Sequence, residues 1–230
     1  MSEEKKSSEE FFKEIAELVE IGDTETGVAV AKKAMDAGVP PFEFLVKGIC
    51  VGLATVGKKF DAKEYFYPDL VCAADATMAA LGVLKPYMKS GVGKADNAGT
   101  FVIGSVEGDL HDIGKDLVKT VLEASGWKII DIGIDQPASK FVQAAKDNNA
   151  DIVGSSLGLG GALKYAQQQI EEGLKEAGIR KNMKTMIGGA FANQAWADEI
   201  GADAYGKDCF DALKKADELI RKLKEERTKN

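Results

Sequence analysis

The chain is short of several residue types, and each shortage removes a class of function. His111 is its single histidine, so no cluster of imidazoles can build a metal site. Cys50, Cys72 and Cys209 are odd in number and widely spaced, which fits neither a disulfide framework nor a zinc site; they read as buried or indifferent thiols. Basic residues are outnumbered, 30 against 37 acids, for a formal charge of −7. There is thus no basic field for counterion release on nucleic acid, and an anionic membrane surface is disfavoured for the same reason. No stretch approaches the roughly eighteen apolar residues that cross a bilayer. The polar, acidic segment Met1–Glu10 has no signal-peptide pattern. The expectation is a cytoplasmic protein with neither a nucleic-acid nor a membrane partner.

What is present is periodicity of two kinds. At 230 residues the chain holds one large domain or two ordinary ones. From Phe11 to Met88 the apolar spacing is helical throughout. Phe11, Ile15, Leu18 and Val19 share a stripe that ends at Gly22-Asp23, and a second helix runs to about Ala37 before Pro40-Pro41. A third carries Phe44, Leu45, Ile49, Leu53 and Val56, and a fourth follows Pro68. These predict a four-helix bundle over residues 1–89, with 1–9 a disordered tail. Between the last two helices stand Tyr65, Phe66 and Tyr67, which serve either as a hydrophobic staple with core anchors or as an aromatic lid over something flat. The segment 90–98 is polar, unpatterned and reads as a linker.

After it, strand-like and helical runs alternate. Strands are expected at Thr100–Val106, Trp127–Ile134, Asp151–Leu157, Lys184–Ile187 and Ala202–Tyr205. Helices are expected at Ile113–Ala124, Ser139–Asn148, Leu163–Ala177, Phe191–Ile200 and Phe210–Glu226, with Lys214 to Asn230 a solvated face and frayed tail. Five βα units predict a parallel, doubly wound sheet over 99–230, whose ligands lie beyond the carboxyl ends of the strands. The loops there are Gly108-Asp109-Leu110-His111, then Ser155-Ser156-Leu157-Gly158-Leu159-Gly160-Gly161, then Gly188-Gly189-Ala190. In strand order 2-1-3-4-5 they are neighbours, and so many glycines point to close backbone approach by a long or flat ligand.

The motif Asp109-Leu110-His111-Asp112-Ile113-Gly114, followed by Ser156 with Leu157 and then Gly188-Gly189, resembles the cobalamin-binding domain of corrinoid-dependent enzymes. Phe60 to Met78 is similar to the helical cap of methionine synthase and of small methyltransferase corrinoid proteins. The resemblance implies an α + α/β protein: a helical cap followed by a flavodoxin-like cobalamin domain. It further implies a cobalt corrinoid, methylcobalamin in the working cycle, with His111 as lower axial ligand through one ring nitrogen. Asp109 would accept a hydrogen bond from the other, fixing the tautomer. Gly108, Leu110, Asp112 and Ile113 complete that loop, and Gly114 leaves room for the nucleotide tail. Ser155, Ser156, Leu157 and Gly158 would line the upper channel, the serine register being open. Gly188, Gly189 and Ala190 would pass the ribose and phosphate, and Tyr205 would close the far end. Phe66, flanked by Tyr65, would shield the methyl face, the cap moving on the linker. A serine that extends the histidine–aspartate chain in methionine synthase falls here on Ala162.

The implied role is a methyl carrier rather than a complete enzyme. A substrate-specific methyltransferase would load it from a methylamine, methanol, a betaine or an aryl methyl ether, and a second would unload it to tetrahydrofolate or a thiol. A reductive activator would be the third partner. Alternatives are a cobalamin sensor, which would need an effector module, and the binding subunit of an adenosylcobalamin mutase, which usually lacks the cap. Asp112, Asp131 and Asp135 also resemble receiver-domain acids, but a receiver needs neither a glycine channel nor a cap.

Overall fold

A computed structural model describes residues 6–91, 98–160 and 163–229. The chain divides into two compact units, Met1–Val92 and Gly93–Asn230.

The first unit is helical. Helix α1 (Ser8–Ile21) starts in a capping box, with the Ser7 hydroxyl accepting from the Glu10 N–H and the Glu10 carboxylate accepting from the Ser7 N–H. Residues 7–9 of the expected tail thus form the cap and first turn of α1, and residues 1–5 lie outside the described ones. Helix α1 ends at Gly22 in the left-handed conformation, and Asp23 caps α2 (Thr24–Asp36) by accepting from Thr26 N–H at 3.0 Å. The third expected helix is interrupted: α3 (Pro41–Phe44) passes through a π-helical turn, Leu45–Ile49, into α4 (Cys50–Asp61). That extra residue per turn changes which face of the helix meets α1. Gly48 and Gly52 are the outcome: a Cβ at Gly48 would overlap Ile15, and one at Gly52 would lie 2.6 Å from the Ala16 carbonyl.

Helix α5 (Tyr67–Gly91) runs through Pro86 and takes in Ser90 and Gly91 of the expected linker; residues 92–97 lie outside the described ones. Its stretch Tyr67–Met88 is long and apolar enough to cross a membrane by length and composition, which corrects the expectation that no such stretch exists. Alanines carry much of that apolarity, and Ala73, Ala76, Ala80, Leu81, Leu84 and Met88 are buried in the bundle.

The second unit is a five-stranded parallel sheet in the order β2-β1-β3-β4-β5, as expected. The strands are β1 (Thr100–Ser105), β2 (Lys128–Asp131), β3 (Ile152–Ser156), β4 (Lys184–Gly188) and β5 (Ala204–Gly206). Helices α6 (Ile113–Ala124), α7 (Ala138–Asp147), α8 (Lys164–Glu176), α9 (Gln194–Ile200) and α10 (Cys209–Lys229) connect and cover them. Side chains alternate across the pleat. Phe101, Ile103, Ile152 and Met186 join the core beneath α6 and α10, and Val102 and Val153 join the one beneath α7 and α8. The chain's end is not only a solvated face, since α10 buries Ala216, Leu219, Ile220 and Leu223 in the first of these cores.

Candidate functional site

Strand β1 ends at Ser105, and the chain turns at once, with Asp109 N–H donating to Val106 C=O at 3.0 Å. Gly108 sits at φ 82°, a conformation that costs glycine no steric penalty. The loop after β2 brackets this turn: Gly108 N–H donates to Asp135 Oδ1 at 2.7 Å, and Asp135 N–H donates to Asp109 C=O at 3.0 Å. Asp109 is fully buried. Its Oδ1 accepts the His111 backbone N–H at 3.0 Å and faces the His111 Nδ1 at 2.7 Å, while Oδ2 accepts the Gly158 N–H. A carboxylate accepts hydrogen bonds, so a neutral ring facing it carries its proton on Nδ1 and keeps a lone pair on Nε2. The Ser105 hydroxyl donates to the His111 carbonyl at 2.7 Å, yet the side chain of His111 is 58% exposed. The backbone is clamped and the imidazole is presented outward.

Register places a row of small residues beside this histidine. Ser105 pairs with Ser156, Ser156 with Gly188, and Gly188 with Gly206, so four strands end in residues with almost no side-chain bulk. The row before it is Ile103, Gly154, Met186 and Ala204, which belongs to the α6/α10 side of the sheet. Alternation puts the small row on that same side. Gly114, in the first turn of α6, faces open space, with no atom within 4 Å of where a Cβ would stand. Small residues thus end four strands at the sheet's carboxyl edge, and the open position at Gly114 lies in the helix that follows His111.

This geometry separates the expected residues. Ser156 lies in the row, whereas Ser155 is buried on the opposite face, where its carbonyl accepts from Gln167 Nε2 at 3.1 Å. Leu157 does not line a channel: its side chain is fully buried beneath α7 and α8. Gly189, at φ 101°, is required by the Leu157 backbone, which a Cβ there would overlap. Ala190 is exposed. Tyr205 packs with Ile187, Trp196, Ala197 and Ile200, on the face away from the row, because the pleat turns β5 residue by residue. Gly158 contacts His111 itself. Asp112 is the residue before α6 and makes no side-chain cap, Ile113 opens the helix, and Leu110 is exposed beside His111. Gly161 and Ala162, where a hydroxyl was expected, lie outside the described residues.

Three supporting residues escape a reading of motifs. Asp135 clamps Gly108 and Asp109 from a left-handed backbone conformation, φ 53°. Gln167 is buried in α8; its Nε2 donates to the Ser155 and Gly188 carbonyls, and its Oε1 accepts from Trp196 Nε1 at 3.1 Å. Its signal in the sequence is a polar residue inside the stripe Leu163, Ile170, Leu174. Lys115, adjacent to Gly114, is a buried cation held by Asp116 at 2.7 Å and Asp131 at 3.0 Å. Burial alone would raise the Asp131 carboxyl, but hydrogen bonds from Lys119, Lys115 and the Gly133 N–H outweigh it and hold the group below the ordinary aspartate value.

In the first unit, Tyr65 and Phe66 part company. Tyr65 is half-buried, its hydroxyl 3.2 Å from Glu20 and its ring beneath Lys59. Phe66 and Tyr67 are exposed, 65% and 73%, and the Phe66 N–H donates to Asp69 at 2.7 Å at the start of α5.

Among the described residues no group of three or more His, Cys, Asp or Glu side chains is placed to hold a metal ion. The exposed Nε2 of His111 suits a metal that brings its other ligands with it, as in a macrocycle, and the open position at Gly114 and the small side chains of Ser156 and Gly188 suit an appended tail. The known proteins agree. A B12 binding domain model matches residues 99–214, and a second B12 binding domain model matches residues 12–85. The chain belongs to the B12-binding corrinoid proteins. It is 41% identical over 209 residues to trimethylamine corrinoid protein 1 of Methanosarcina acetivorans, covering 91% of this chain and 96% of that one. The structure of the Methanosarcina barkeri monomethylamine corrinoid protein superposes with a TM-score of 0.82 at 32% identity, covering 93% of this chain and all of that one. A chain of the methanol:cobalamin methyltransferase complex of the same organism gives 0.53 at 25% identity, over 96% of this chain and 86% of that one. Cobalamin is thus the ligand of this corrinoid protein, and the residues around His111 suit it.

Proposed function

We propose that the chain is the methyl-carrier component of a multicomponent methyltransferase system, in which His111 Nε2 would hold the cobalt of its cobalamin. One observation supports this most: a single exposed imidazole, its Nδ1 held by a buried carboxylate, stands at the end of a row of small residues. Bound cobalamin supplies a cobalt centre that accepts a methyl group and gives it up again. Asp109 orients the imidazole and sets its tautomer, and Ser156, Gly188 and Gly114 leave space for the tail. The names of the relatives above favour a methylamine as donor, delivered by a substrate-specific methyltransferase. A second methyltransferase then moves the methyl group to tetrahydrofolate or a thiol, and a reductive activator restores the cofactor.

Reconstitution with methylcobalamin tests the ligation. Wild-type protein is expected to give a base-on spectrum and His111→Ala a base-off one; a base-on spectrum in the variant removes His111 from the metal. Methyl transfer from each methylamine, through its own methyltransferase, then tests the donor. Phe66 is the residue we assign to shielding the alkyl group from water and light. Phe66→Ala should leave folding within about 0.5 kcal/mol of wild type, as for other exposed positions, and speed photolysis of the reconstituted methyl form. Equal photolysis rates would take Phe66 out of the site.

A further inference from the structure

We propose that Gly158 is the positioning residue of His111, fixing the ring's orientation and tautomer before any cofactor arrives. Two independent contacts converge on this residue. A Cβ built on Gly158 would lie 2.6 Å from both Cβ and Cγ of His111 and 3.0 Å from Nδ1, so the imidazole rests directly on the glycine backbone. Any side chain at this position would occupy the ring's place. The Gly158 N–H also donates to Asp109 Oδ2, the oxygen that His111 leaves unused.

Asp109 thus accepts three N–H groups, from the His111 backbone, the His111 ring and Gly158, with no exposure to solvent. The donor that the resemblance to methionine synthase placed at a serine hydroxyl is here a backbone amide. The difference is chemical as well as positional. A hydroxyl rotates and can both donate and accept, whereas an amide N–H only donates and points where the chain fixes it. A carboxylate with every partner a donor cannot turn toward another tautomer of the ring without losing one of them. Gly160, two residues on, faces the Phe191 ring instead, so the requirement belongs to position 158 and not to glycine-rich loops in general.

The inference rests on the carrier reading for the use made of Nε2, but its first test needs no cofactor. Because His111 is the only histidine, ¹⁵N-histidine labelling of the full apo-chain reports one imidazole. Long-range ¹H–¹⁵N correlation of the neutral ring is expected to show a protonated Nδ1 and a bare Nε2. Gly158→Ala should lose that single form, and its affinity for methylcobalamin should fall about 10- to 100-fold, the usual effect of losing a partner that orients a metal ligand, with a base-off spectrum. Gly160→Ala should keep the wild-type ring pattern. A protonated Nε2 in the wild-type apo-protein overturns the proposal, as does a Gly158→Ala protein with wild-type tautomer and base-on spectrum. Should Gly158→Ala not fold, Asp109→Asn carries the test: the Gly158 amide proton must move upfield on losing its charged acceptor, and an unmoved signal overturns the proposal. Wild-type protein that shows the fixed tautomer but binds no cobalamin would sink the carrier reading and leave Gly158's role standing.

Discussion

Two buried polar residues of opposite standing decide how firmly each unit is specified. Gln167 makes three hydrogen bonds, to the Ser155 and Gly188 carbonyls and from the Trp196 indole, and so ties the ends of β3 and β4 to α8 and α9 just where the small-residue row lies. Replacing it with methionine keeps the volume, takes the acceptor from the Trp196 indole and a donor from both carbonyls, and leaves Gly188 C=O with the Leu157 N–H alone. The expected cost is about 2–4 kcal/mol, since each buried orphan costs on the order of 1–3 kcal/mol and the site relaxes in part. Thr77 is the reverse case. Its hydroxyl in α5 is fully buried and makes no hydrogen bond among the described residues. Thr77→Val therefore removes an uncompensated group without changing shape, and should be neutral or stabilising. Urea denaturation of the apo-protein checks both; a Gln167→Met protein as stable as wild type would show that the network contributes nothing net.

Glycines inside helices make the corresponding prediction for whole elements. Gly48 and Gly52 sit where the π-helical turn brings the backbone against α1, so Gly52→Ala drives a methyl into the Ala16 carbonyl and the Val19 side chain and should cost about 1–3 kcal/mol. Gly57 in α4 and Gly82 in α5 meet nothing within 4 Å, and alanine at either should add about 0.5–1 kcal/mol through helix propensity. Thermal unfolding separates the pairs, and a destabilised Gly57→Ala would mean that an unseen partner packs there. These glycines also show where the sequence stops being legible. The period of Phe44, Leu45, Ile49, Leu53 and Val56 announces a helix, but an inserted residue per turn leaves no mark on that period, so the π-helical turn was invisible. The strands announced themselves as apolar runs, and α6 was delimited by Asp112 and Ser125 at its ends; β2 proved shorter, ending at Asp131, although Ile132 N–H still donates to Ile103 C=O and Gly133 C=O accepts from Ser105 N–H before the chain turns to the clamp at Asp135. Of the site, Asp109, His111 and Gly114 carry their chemistry in their residue types. Ser105 and Gly206 carry theirs only through register, which the β1–β3–β4–β5 pairing sets and no local pattern reveals.

The pH dependence of the whole molecule follows from how its acids are held. Asp116 and Asp131 surround Lys115 and Lys119; burial works to raise both carboxyls, and the lysines outweigh it, so both lie below the ordinary aspartate value. Glu10, Glu20 and Asp23 are lowered as well, first by their hydrogen bonds to Ser7, Lys59 and Thr26 respectively. A lowered carboxyl contributes stability that is complete above its unfolded value and is lost as pH falls through its folded value. Glu171 runs the other way: burial raises it against hydrogen bonds from Thr185 and Arg180, so the folded state holds its proton longer and its share of stability falls as pH rises through that window. With Asp211, also lowered against its burial by Lys215, six lowered carboxyls outnumber the one raised. Stability should therefore be flat near neutrality and drop below the usual carboxylate range, with a slope of about 1.4 kcal/mol per pH unit for each extra proton bound on unfolding. Asp131→Asn isolates one of these groups. It leaves buried Lys115 with Asp116 alone, so the variant should be less stable than wild type at neutral pH, and the gap should close as acid protonates Asp131 in the wild type. Urea midpoints measured across the acid range decide it. A gap that stays constant with pH would mean that the Asp131 carboxylate is not stabilised by its lysines, and that the charge pairs beside Gly114 hold shape rather than energy.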